Sequence, residues 1–272
     1  MSETCLPEDP KPVLVSAFSA QEALAHGFST RIGGLSQCYR PGDLNLGFTK
    51  DDEPASVAEN RRRFVQTLGA EDFQRFGLLR QIHSPDLVVL ASEEEGAQDF
   101  TQPATGCGDA LMTDVPGMLL TVQVADCIPV LLFAPKKRAV AAVHAGWRGT
   151  AARIAQSTAT AMQRLYGSDP ADIIAAIGPG IGPESYAVSE DLRTEFATAF
   201  AYSEELFQVR DAQLFLDLWE ANQRQLLEAG LERANIHVLG LDTATSTGRF
   251  FSHRAEKGFT GRMMAAIGLR PI

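Results

Sequence analysis

Residues 117–149 read GMLLTVQVADCIPVLLFAPKKRAVAAVHAGWRG, and the fold is decided there. An apolar run is followed by a basic break at Lys136, Lys137 and Arg138, then by a second apolar run, AVAAV, and by HAGWRG. Both runs are rich in Val and Leu and the break has turn composition, so the pattern predicts two adjacent buried strands. Two positions do not suit a core. Asp126 and Cys127 interrupt the first run, and His144 ends the second just ahead of Gly146 and Gly149. A thiol and an imidazole at the ends of neighbouring strands, followed by a Gly-rich turn into a helix, are placed to meet. They would form either a metal site or a Cys/His catalytic pair. Cys127 taken alone is more often a small buried hydrophobe. Asp126 beside it argues otherwise, because a buried carboxylate needs a partner, and a cationic neighbour is expected.

The chain of 272 residues is 45% hydrophobic, enough to bury a full core. A net charge of −10 argues against nucleic acid or an anionic membrane as partner, since both select a basic face, and favours small ligands. The first residues lack the basic and apolar regions of a signal peptide. The longest apolar stretch, 118–134, contains Asp126 and Pro129 and is too short to span a bilayer. Four cysteines without a CxxC pair fit a reducing compartment. A cytoplasmic protein is expected, as a monomer.

Elsewhere, residues 1–11 suggest a flexible tail ahead of one domain over 12–272, with a first strand at 12–18. Residues 26–48 have loop or broken-hairpin composition, and there Arg31, beside Ser29, Thr30 and a Gly-Gly pair, could serve as an anion donor. Residues 52–68 predict an amphipathic helix with Val57, Phe64, Val65 and Leu68 inward and Arg61, Arg62 and Arg63 as a solvated face. His83 lies in QIHSP between two strand-like segments, where a single histidine is more often structural than ligating. Residues 150–166 have helical spacing, so the amides of 146–149 would open a helix and form an anion seat that includes Gly149, with Arg148 beside it. Strands at 173–177, 236–240 and 263–269, helices at 190–202 and 216–228, and the rigid loop GPGIGP at 178–183 complete the reading. Neither GxGxxG nor a P-loop occurs.

Together HGFSTRIGG, LNLG, QIHS, DALMTD, ADCIPVLL, HAGWRGT, IGPGIGP, LDLWEANQRQL, FFSHR and TGR resemble, in order and spacing, the YfiH family. It is also called the laccase-domain or polyphenol oxidase family and includes purine nucleoside phosphorylases and a peptidoglycan editing factor. The resemblance covers about residues 26–262. It implies a mixed α/β fold, central mixed β-sheets flanked by helices and similar to cysteine-hydrolase-like domains. It also implies zinc held by His83, Cys127 and His144. Two imidazoles and a thiolate suit Zn²⁺ and leave a fourth position open. The chain departs from the family at Glu184-Ser185-Tyr186-Ala187, where a Cys often precedes the Tyr, and at Asp242-Thr243, where Cys-Thr is common.

Three activities compete. By resemblance the first is phosphorolysis of adenosine, inosine, guanosine and methylthioadenosine, with adenosine deamination as a side reaction. His83, Cys127 and His144 would be catalytic, and Arg31, Arg148 and Gly149 would hold substrate. The second is polyphenol oxidation with Cu²⁺ on the same ligands; five histidines are few for a multicopper centre. The third is metal-free hydrolysis of a peptidoglycan precursor, with Cys127 as nucleophile and His144 as base, which leaves His83 without a role.

Overall fold

Residues 117–149 fold as three strands, Met118–Val124, Ile128–Ala134 and Ala139–Ala145, and not the expected two. The first apolar run breaks at Asp126, whose φ of 84° lies in the left-handed region that turns an extended chain aside. Its carboxylate accepts the Thr243 hydroxyl at 2.7 Å and the Arg254 backbone N–H at 2.6 Å. Two neutral donors thus stand where a cation was expected. The computed structural model describes residues 9–271 other than 93, 96 and 97. Most of the expected N-terminal tail, residues 1–8, lies outside the described residues.

The break sends consecutive strands into different sheets. Met118–Val124 joins a four-stranded sheet in the order Leu24–Phe28, Met263–Leu269, Met118–Val124, Arg75–Gly77. Ile128–Ala134 enters a six-stranded mixed sheet in the order Ile236–Val238, Ile174–Ile177, Ile128–Ala134, Ala139–Ala145, Ala110–Thr113, Leu87–Val89. Every residue of its two central strands is buried, so both faces of this sheet are covered. The alternation of strand side chains divides the work. Val130, Leu132, Ala141 and Val143 pack with Ile154, Met162, Leu218 and Leu226 of the helices Ile154–Tyr166 and Leu218–Glu228. Leu131, Phe133, Val140 and Ala142 pack instead with Leu120, Val122, Ala265 and Ile267 of the four-stranded sheet. The far face of that sheet, through Leu119, Met264 and Ala266, receives Phe64 and Val65 of the helix Pro54–Thr67. The layers therefore run helices, sheet, sheet, helix.

Several expectations are corrected. The segment expected as a strand at 12–18 makes one bridge, Val13 to Phe28, and then the helix Ser16–Ser19. The helix expected at 150–166 is interrupted at Arg153, φ 61°, into Trp147–Ala151 and Ile154–Tyr166. A three-stranded sheet, Ala187–Val188, Gln213–Leu216 and Phe207–Arg210, carried too short a pattern to be read. Arg61, expected in solvent, is buried. Among the described residues no helix is long and apolar enough to cross a membrane.

Candidate metal centre

Strand register explains how distant residues converge. Ile128 pairs with Ala145 and Pro129 with His144, so Cys127, just before one strand, arrives beside the end of the other. His83 comes from the loop between Arg75–Gly77 and Leu87–Val89. That loop is tied down by Gln81, whose side chain donates to the Gln123 carbonyl and accepts from the Gln123 N–H, each at 2.7 Å. The ligand atoms of His83, Cys127 and His144 all lie within 4.8 Å of one another, with Cys127 Sγ 3.9 Å from His83 Nε2. In a tetrahedral zinc site the donor atoms stand roughly 3.3–3.6 Å apart, given Zn–N near 2.0 Å and Zn–S near 2.3 Å. Small inward movements of the side chains would close the set. Gly146 supplies the room, since a Cβ there would stand 3.0 Å from His83 Cδ2 and 3.1 Å from Cys127 Sγ.

Asp109 organises the centre from behind, and in the sequence it stands out only as the first residue of DALMTD. It is fully buried. Its Oδ1 accepts His144 Nδ1 at 2.8 Å and the His83 N–H at 3.0 Å. Its Oδ2 accepts the Ser84 N–H at 2.7 Å, the Ser84 hydroxyl at 2.9 Å and the Ile82 N–H at 3.2 Å. The bond to Nδ1 leaves His144 Nε2 for the centre. The three backbone N–H groups hold His83 at a φ of 60°, a conformation that costs a non-glycine residue energy and so needs support. Burial works against a charged Asp109, but His144 and Ser84 outweigh it and bring the carboxyl down to about 2.

Electrostatics couple the thiol to the imidazole. Burial opposes the Cys127 thiolate, yet the charge and hydrogen bond of His144, helped by His83, bring the thiol down to about 6. Burial likewise opposes a charged His144, while Cys127 and Asp109 raise it to about 9. Each group thus favours the charged form of the other. The donor set, two nitrogens and one sulfur, suits zinc or copper and has one side open.

That side faces a cavity of about 630 Å³, within the range of roughly 300–1,000 Å³ typical of small-molecule sites. Its wall includes Tyr186, Phe48 and four arginines, Arg61, Arg80, Arg254 and Arg262. The arginines expected to bind anions are placed differently. Arg31 is buried and neutralised by Asp43 at 2.6 Å and Glu256 at 2.8 Å. Arg148 is exposed, with its guanidinium carbon 4.2 Å from the centre of the Trp147 ring. Gly149 is buried in the short helix, where a Cβ would meet Ile154 at 3.3 Å and the His144 carbonyl at 3.5 Å. None of the three lines the cavity. The two departures from the family pattern face each other, with the Ser185 hydroxyl donating to Asp242 Oδ2. Cys38, Cys107 and Cys127 are free thiols.

The chain is 40% identical over 249 residues to a purine nucleoside phosphorylase of Deinococcus radiodurans, covering 91% of this chain and 90% of that one. It is 38% identical over 248 residues to the purine nucleoside phosphorylase YlmD of Geobacillus stearothermophilus, covering 90% and 89%. Its fold matches the crystal structure of the hypothetical protein YfiH of Bacillus licheniformis with a TM-score of 0.88 at 32% identity, over 96% of this chain and 97% of that one. A family model described as multi-copper polyphenol oxidoreductase laccase matches residues 25–270, and the chain belongs to that family.

Proposed function

We propose that the chain is a zinc-dependent purine nucleoside phosphorylase acting on adenosine, inosine, guanosine and methylthioadenosine, with adenosine deamination as a side reaction. It would work as a cytoplasmic monomer, in keeping with its free thiols. The observation that carries the reading is the open His83–Cys127–His144 set on the wall of an arginine-lined cavity, in a chain whose relatives are named phosphorylases. In phosphorolysis the bond from the sugar C1′ to the purine nitrogen breaks, a bond from C1′ to a phosphate oxygen forms, and the proton carried by phosphate ends on the purine. Deamination exchanges the purine amino group for the oxygen of water and releases ammonia.

His83 Nε2, Cys127 Sγ and His144 Nε2 would hold zinc, which when bound supplies Lewis-acid polarisation of a substrate oxygen. Asp109 keeps the proton on His144 Nδ1, so the other nitrogen stays a donor pair for the centre. Tyr186 and Phe48 offer ring faces to a purine. The arginines favour the anionic partner.

The depressed Cys127 thiol beside His144 favours one second reading, a metal-free cysteine hydrolase. Alkylation separates the two. Under the phosphorylase reading zinc shields Cys127 from iodoacetamide, and stripping the metal with chelator exposes it. Equal inactivation rates with and without metal would favour the hydrolase.

A further inference from the structure

Among the described residues two arginines are buried, and their surroundings contrast sharply. Arg31 is matched by two carboxylates. Arg61, 1% exposed, has no carboxylate within ion-pair distance among the described residues. Its Nε donates to the Leu46 carbonyl at 2.8 Å, and its Nη1 to the carbonyls of Phe100 at 2.8 Å and Gln102 at 3.1 Å. The rings of Phe48 and Phe100 lie 4.6 Å and 5.3 Å from its guanidinium carbon. These contacts fix the group without neutralising it. Nη2 makes no hydrogen bond among the described residues, and Arg61 lines the cavity. A buried cation lacking a counter-ion is costly. Burial brings Arg61 down to about 10, with only Asp99, exposed and bonded to Thr101, working the other way.

A second cation is built in beside it. The Leu46 N–H donates to the Arg262 carbonyl at 2.9 Å, so Arg61 and Arg262 are anchored to the two sides of one residue. Arg262 spends its Nη1 on the carbonyls of Thr260 and Gly261 and likewise has no carboxylate partner among the described residues. Gly47 lets the stem of Arg262 lie against the backbone, since a Cβ there would sit 2.6 Å from Arg262 Cγ. This concentration of unpaired arginine stands in a chain with 34 acidic and 24 basic residues.

We infer that the Arg61 and Arg262 wall of the cavity is the seat of a tetrahedral oxyanion, with the free guanidinium edge of Arg61 as its fixed donor and Arg262 as its second charge. The inference rests on the phosphorylase reading in naming phosphate as occupant. Two sources share the chemistry, inorganic phosphate as co-substrate and the phosphate ester of a nucleotide.

The test compares wild type, Arg61→Lys, Arg262→Gln and the exposed control Arg233→Gln on the full chain. Arg262 is only half-buried, so its variant remains informative if Arg61→Lys misfolds. Calorimetry with inorganic phosphate alone should show binding in wild type and Arg233→Gln that weakens about 10- to 150-fold in Arg262→Gln, the loss of one charge-assisted hydrogen bond. The KM for phosphate should rise by a similar factor while the KM for inosine stays unchanged. If the seat serves a phosphate ester, inosine 5′-monophosphate will bind more tightly than inosine in wild type, and the advantage will vanish in the Arg61 and Arg262 variants. Phosphorolysis with an unchanged phosphate KM in both variants would overturn the seat and leave the phosphorylase reading standing. Phosphate binding lost in the variants, with no phosphorolysis by wild type, would do the reverse.

Discussion

At the residue scale the centre is a problem in proton placement. The Cys127 thiol, brought down to about 6 by His144, and the His144 imidazole, raised to about 9 by Cys127 and Asp109, favour a thiolate and an imidazolium in the metal-free site between those limits. Zinc requires the thiolate and a neutral imidazole, so binding there must expel the His144 proton. Calorimetry in buffers of different ionisation enthalpy should find about one proton released per zinc near pH 7.5. Affinity should rise with pH across this window and fall more steeply below 6, where the thiol also holds its proton. Release of no proton at pH 7.5 would contradict the coupled pair. Asp109→Asn should weaken zinc about 10- to 100-fold, the usual effect of removing an outer hydrogen-bond partner, as read by competition with a chromophoric chelator. Cys127 and His144 were legible in sequence because each interrupts an apolar run. Asp109 was not, because a carboxylate leading into a strand looks the same whether it faces solvent or gathers five donors.

At the scale of elements, the helix Pro54–Thr67 buries an arginine that its own spacing places inward. Val57, Phe64 and Val65 mark the inward face of Pro54–Thr67, with Leu68 capping its end, and Arg61 stands four residues after Val57 and three before Phe64. The periodicity that predicts the helix therefore also places Arg61 inside. The run of three arginines drew the reading towards solvent, which is correct for Arg62, paired with Glu59. The breaks at Asp126 and Arg153 were hidden for a different reason, since positive φ at a non-glycine residue leaves little trace in composition. The turn from strand to helix at Gly146 gives a direct test. Gly146→Ala places a Cβ 3.0 Å from His83 Cδ2 and 3.1 Å from Cys127 Sγ, so zinc per chain should fall while the thermal midpoint stays within a few degrees. Unchanged zinc content would show that the cradle is wider than described.

At the scale of the molecule, two sheets share an apolar layer and present the centre at the ends of Ile128–Ala134 and Ala139–Ala145. The mixed α/β character was implied by the family resemblance, in keeping with the alternation of strand-like and helical segments. The division into two sheets depended on one residue, Asp126, and could not be read from hydrophobicity. Leu131 is fully buried between the sheets, and Leu131→Ala should cost about 2–5 kcal/mol in urea unfolding without altering the donor set. If His83, Cys127 and His144 act together through one metal ion in phosphorolysis, loss of any one ligand should remove metal and activity together. Free purine released from inosine, with and without phosphate, is measured beside zinc content for wild type, His83→Ala and Cys127→Ser. Under the metal mechanism the zinc-loaded wild type should release purine in a phosphate-dependent way, and the two variants should lose both metal and release. Full phosphorolysis by a zinc-free His83→Ala protein would contradict it.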